Sequence, residues 1–238
     1  MGAGFAGIPP EGLKFLRDLK KNNKREWFQP RVETYKEKVR APMLELVKAL
    51  HREMLRFAPD YVGEPPRCLY RIYRDIRFSK DKTPYKTRVD ALFWRNSLEK
   101  DEGAAYYISV SPENVFIGAG LYMPSPASLL AVRQSVASRA EEFRATFNSR
   151  KVRSSMGELK GTRLTRVPKG FSAADPAAEL LKHKQFVLSA TLTEPGLATS
   201  PRMFGELVKR MEAVTPFVEF LDQPLLKKGS PRRDPFDW

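Results

Sequence analysis

Residues 70–88 hold seven Lys or Arg, three Tyr and two Asp within nineteen positions, the densest run of anion-binding and ring-stacking groups in the chain. Arginine offers two parallel donors to phosphate oxygens, and lysine offers a mobile point charge. Arg71, Arg74, Asp75, Arg77, Lys80, Asp81, Lys82, Tyr85 and Lys86 are therefore the candidate ligand-binding residues. Tyr70, Tyr73, Tyr85 and Tyr107 could stack on a base or sugar. The partner this chemistry suits is nucleic acid or a phosphorylated, nucleotide-like small molecule.

Two other readings fit the same residues. Asp75 and Asp81 could hold Mg²⁺ or act as a base, with Lys80, Lys82 or Arg77 steadying an anionic transition state, which would make the chain an enzyme. Alternatively Asp75 pairs with Arg74 or Arg77 in an ion network that pins a turn and needs no ligand. Seven cations against two carboxylates leave most of the positive charge unpaired within the stretch, which favours a site. The sequence leaves open whether the chain is an enzyme, and it points to no cofactor.

The elements that position this stretch are legible from periodicity. Residues 68–78 alternate, with Tyr70, Ile72, Ile76 and Phe78 on one side and Arg71, Tyr73, Asp75 and Arg77 on the other, which predicts a strand. Arg74 falls inside the apolar row, so a carboxylate must meet it or the strand must bulge. Residues 79–84 are turn-like, ending at Pro84. Strands are predicted at 87–94, 104–111, 115–122, 159–167 and 186–192. The site mouth would lie between the end of the first strand, the 79–86 turn and residues 118–122. Gly118 and Gly120 lack the Lys-Ser/Thr of a phosphate loop, so close backbone approach or a bulge explains them better.

Helices are expected from Pro10 to Asn22–Asn23, where Asn tolerates a left-handed helix end; from 31 to 57 with a kink near Arg40 forced by Pro42; and from Ser125 to Phe147. A short helix around 176–183 and a last one over 199–214, restarting at Pro216, follow. The result is an α+β fold: a mainly antiparallel sheet of about five or six strands with N- and C-terminal helices packed on it. Residues 1–226 would form one domain, and 227–238 a mobile basic tail. Tyr70, Ile72, Phe93, Ile108, Phe116, Phe143, Phe147 and Leu207 are the predicted core, with Trp27 and Phe28 as further anchors.

The 238 residues include 42 basic and 28 acidic ones, a net charge of +14 that attracts anions without specifying a fold. One cysteine, Cys68, excludes an internal disulfide and any multi-cysteine metal site. His51 and His183 are the two histidines, both in charge-rich segments that read as surface, so a histidine metal centre is not expected. No signal peptide and no apolar run long enough to span a membrane are visible, making the cytoplasm the expected location.

Residues 16–28, 71–86 and 115–124 together resemble a conserved family of unknown function, found sparsely in bacteria and within some longer fungal proteins. Its defining pattern, ArgAsp-X-ArgPheSerLysAspLys-X-X-Tyr, runs here from Arg74 to Tyr85. ProLysGlyPhe at 168–171 also fits, so the resemblance covers about residues 5–222 and leaves the tail outside. It implies no activity, because the family has none assigned.

Overall fold

The computed structural model describes residues 5–226. The expected mobile tail at 227–238 lies outside them. The architecture is α+β, built on one antiparallel sheet of four strands in the order β1-β2-β3-β4: β1 Val89–Trp94, β2 Ala105–Val110, β3 Val115–Leu121 and β4 Phe186–Leu192. Each neighbouring pair is adjacent in sequence within the sheet, as a meander requires. Ile108 faces Ile117, and Ile117 faces Ala190, which sets the register.

Two predicted strands are absent, which brings the count down from five or six. Residues 69–73 make only single bridges, Leu69 to Ala91 and Tyr73 to Tyr85. Residues 160 and 163 likewise bridge singly to Val187 and His183. Arg74 is the physical reason in the first case. Its guanidinium cannot lie in an apolar row, and the chain folds back on itself there instead.

Alternation divides the sheet into two faces. One carries Val89, Ala91 and Phe93, then Tyr106, Ile108 and Val110, then Val115, Ile117 and Ala119, and all are buried. The long helix Arg202–Asp222 lies on this face against β3 and β2, beside the helix Ala41–Phe57. Tyr106 donates from its hydroxyl to Thr215, and Phe143 stacks on Phe217 and meets Phe186 edge-on. Ile72, Phe93, Ile108, Phe143, Phe147 and Leu207 are buried as expected. Tyr70 and Phe116 are only half-buried, because they stand on the opposite face.

The helices follow their breakers. Pro10–Lys21 ends at Asn22, although Asn22 has φ −129°, so the left-handed end is not used. Pro42 lacks the N–H that Lys38 would accept from, and a wide turn at Lys36–Arg40 precedes Ala41–Phe57. The Lys38 carbonyl then approaches Gly12, where a Cβ would stand 2.1 Å from it. The expected six-turn helix is two, Pro126–Ser138 and Ala140–Asn148, broken at Arg139 with φ −134°. Pro216 sits within the continuous helix Arg202–Asp222 rather than restarting it.

Both histidines are buried, contrary to the surface reading. His51 meets Phe93 edge-on, and burial drives its pKa down to about 4. Cys68 lies 3.7 Å from the His51 ring, and burial pushes its thiol up to about 12. His183 stacks on Phe186, and burial lowers its pKa too.

Candidate functional site

Residues 72–86 form a hairpin-like excursion just before β1. Arg74 N donates to the Pro84 carbonyl at 2.9 Å and Lys86 N to the Ile72 carbonyl at 2.8 Å. These two bonds close the neck, and residues 75–83 project beyond it. Tyr70 N donates to the Asp90 carbonyl at 3.0 Å, which lays the entering segment along the β1 edge.

The loop is tied together from inside by Arg74. Its Nη1 donates to Asp81 Oδ2 at 2.5 Å, to the Thr83 carbonyl at 3.2 Å and to the Thr83 hydroxyl; Nη2 reaches Ser79 Oγ at 3.4 Å. Asp81 in turn accepts from Thr83 N at 2.9 Å. The Thr83 amide and then Arg74 hold the Asp81 carboxyl down at about 2. Asp75 grips Arg77 with both oxygens and accepts from the Arg77 amide, so its pKa is also held at about 2, the Arg77 guanidinium being the largest cause. Lys82 Nζ donates to the Ile76 carbonyl at 2.9 Å.

The nine sequence-predicted residues therefore divide by task. Arg74, Asp81 and Lys82 bond within the loop, and Asp75 with Arg77 forms an exposed pair. Tyr85 is buried, its ring stacked 4.2 Å from Phe28. Asn23 clamps the same residue, accepting from Tyr85 N at 3.0 Å and donating to its carbonyl at 2.8 Å. The segment around Trp27 and Phe28 is thus the foundation of the loop. Arg71 and Lys80 are exposed and form no ion pair among the described residues. At the tip stands Phe78, 95% exposed, with the Arg77 guanidinium 5.9 Å from its ring.

Lys86 leads to a second cluster. Asp90 has its side chain 1% exposed and accepts from Lys86 Nζ and Arg88 Nε, each at 3.1 Å. The Tyr107 hydroxyl lies against Asp90, Arg88 and Ser109; burial first and Asp90 second push it up to about 12. Asp90 and Tyr107 also raise the pKa of Arg88 against the opposing effect of burial. Tyr70 is flanked by two ammonium groups, Lys86 at 4.5 Å and Lys100 at 4.4 Å from its ring centre. Beyond the other edge, Lys160 Nζ donates to Ser189 Oγ at 2.9 Å.

All of these groups stand on the sheet face opposite the core. Between them runs β3, with Gly118 and Gly120. Gly120 has φ +123° and passes so near β4 that a Cβ would lie 2.1 Å from the Phe186 carbonyl. Close approach is the reason for that glycine. Gly118 is covered by the Phe116 ring, whose edge would stand 3.3 Å from a Cβ there.

Asp90, Asn23, Lys100 and Lys160 are absent from the sequence-derived set. Asp90 carried a signal: in the 87–94 alternation it shares a face with Arg88, opposite Val89 and Ala91. Asn23 and Lys160 carried none, because their partners are 62 and 29 residues away. Among the described residues, no three His, Cys, Asp or Glu side chains come together in a way that could hold a metal ion.

Comparison with curated proteins and with solved structures finds no match. The model of a protein family described as "Conserved hypothetical protein (DUF2461)" matches residues 11–220. That span takes in the Asn23 clamp, the stapled loop and all four strands, so the chain belongs to this family of unknown function.

Proposed function

We propose that the chain binds a phosphate-bearing polymer, nucleic acid, through the loop at 70–88. The observation that carries this reading is Phe78: a large ring held almost fully in water on a loop braced by Arg74 and flanked by cations. Exposing a phenylalanine forgoes about 1.5–3 kcal/mol of burial, so a solvated tip gains nothing from it without a partner. A base has a π-face for that ring, and phosphates suit Arg71 and Lys80. A protruding tip suits a polymer better than a small metabolite, which is held in a concave site. The enzyme reading has less to support it, since carboxyls held at about 2 by Arg77, Thr83 and Arg74 are poor proton acceptors.

The test is fluorescence anisotropy with a labelled oligonucleotide at two or more salt concentrations. Affinity should fall steeply between about 50 mM and about 200 mM salt, because phosphate contacts release counterions. The double variant Arg71→Gln with Lys80→Gln should bind more weakly to every sequence alike and lower the salt slope by about two. Salt-insensitive binding, or full-strength binding by the double variant, overturns the assignment.

A further inference from the structure

We infer that the nucleic acid is single-stranded and that its bases continue from the loop onto the sheet face opposite the core, where Trp94, Tyr107 and Phe116 are half-buried. This rests on the nucleic-acid reading above and adds a substrate class and a second contact surface. The helices that pack on the sheet meet its core face, through Tyr106, Phe186 and Phe93. Over the other face lie side chains brought in from the two edges: Tyr70, Lys86, Arg88 and Lys100 at β1, and Lys160 at β4.

The charge on this face is complementary to a polyanion. Lys86 and Arg88 cover the buried Asp90 at the β1 edge, Lys100 stands over Tyr70 and Trp94, and Lys160 stands at the β4 edge on Ser189. Asp101 lies farther out at the rim, near Tyr70. Between the cationic edges the two middle strands offer rings: Tyr107 on β2 and Phe116 on β3, 5.9 Å apart and both half-buried. Gly118, beside them, is buried, and the Phe116 ring edge lies 3.3 Å from where its Cβ would stand, so the ring rests on the strand there.

Four strands at roughly 4.8 Å spacing make the face about 14 Å across, room for two or three stacked bases. Rings on the middle strands with cations at both edges suit unpaired bases, whose faces are accessible, whereas duplex bases hide theirs. The strand would enter past Phe78, pass Arg88, and leave by Lys160.

The experiment compares a labelled single strand of about 12 nucleotides with the duplex of the same sequence. Wild-type protein should prefer the single strand by about tenfold or more. Phe116→Leu, which keeps an apolar side chain but removes the ring, should lose about tenfold on the single strand and little on the duplex. Lys160→Gln, at an exposed position that does not threaten folding, should weaken single-strand binding and lower its salt slope by about one. Equal affinity for both forms, with Phe116→Leu and Lys160→Gln unchanged, overturns the inference and leaves the loop reading standing. Failure to bind either form at low salt overturns both.

Discussion

Asp222 is fully buried at the end of the helix Arg202–Asp222, and replacing it with asparagine should change how stability depends on pH. Its two oxygens accept from Ala104 N and from the Tyr61 hydroxyl, each at 2.6 Å. Those donors favour the charged form, but burial outweighs them and raises the carboxyl from 3.8 to about 7. Arg95 helps less, being paired with Asp60. A shift of about three pH units corresponds to about 4 kcal/mol. The folded pKa is raised, so the folded state holds the proton more tightly than the unfolded chain. This contribution is complete below 3.8 and is lost as pH rises to about 7. In Asp222→Asn the side-chain amide would stay neutral throughout, its oxygen facing Ala104 N and its NH₂ facing the Tyr61 hydroxyl, which can accept. Urea unfolding of both proteins from about pH 4 to about pH 8 measures the difference. Asp222→Asn should gain up to about 4 kcal/mol on wild type across that window. Parallel stability curves would refute the reasoning.

Phe143→Ala should cost about 3–5 kcal/mol in denaturant melts, because its ring is fully buried among Phe147, Phe186, Phe217 and Phe220. Asn23→Ala removes both clamps on the Tyr85 backbone and should lower stability by about 1–3 kcal/mol, with the extra loss appearing as faster hydrogen exchange at 84–86. Arg74→Gln should raise hydrogen exchange at 75–83 by about tenfold or more while leaving the global midpoint nearly unchanged, since the bonds it loses are internal to the loop.

Strands β1 to β4 are legible because alternation survives wherever one face is buried, as with Val89, Ala91 and Phe93. The helix start at Ser125 is legible too, since Ser125 Oγ accepts from Ser128 N. The strand expected over 68–78 does not form: Leu69 and Tyr70 reach the β1 edge, but the chain turns away into the loop at Arg74, and Phe78 ends in solvent. Alternation reports spacing, and here the bonds that decide the path are made by Arg74 to residues five to nine positions on. The same logic assigns Phe116 to the core, yet it stands on the side opposite Ile117 and Val115. The histidines look exposed from their charged neighbours in sequence, whereas in three dimensions His51 packs against Phe93 and Cys68. The concentration of cations at 70–88 is visible from composition alone. Which of them remain unpaired is not, because Asp75, Asp81 and Asp90 select their partners by geometry.

Hydrogen exchange of the whole chain with and without a bound oligonucleotide tests the central claim most directly. The account predicts slower exchange at residues 72–88 on binding, centred on the loop that carries Phe78. Binding that leaves 72–88 unprotected and protects another part of the surface would contradict it.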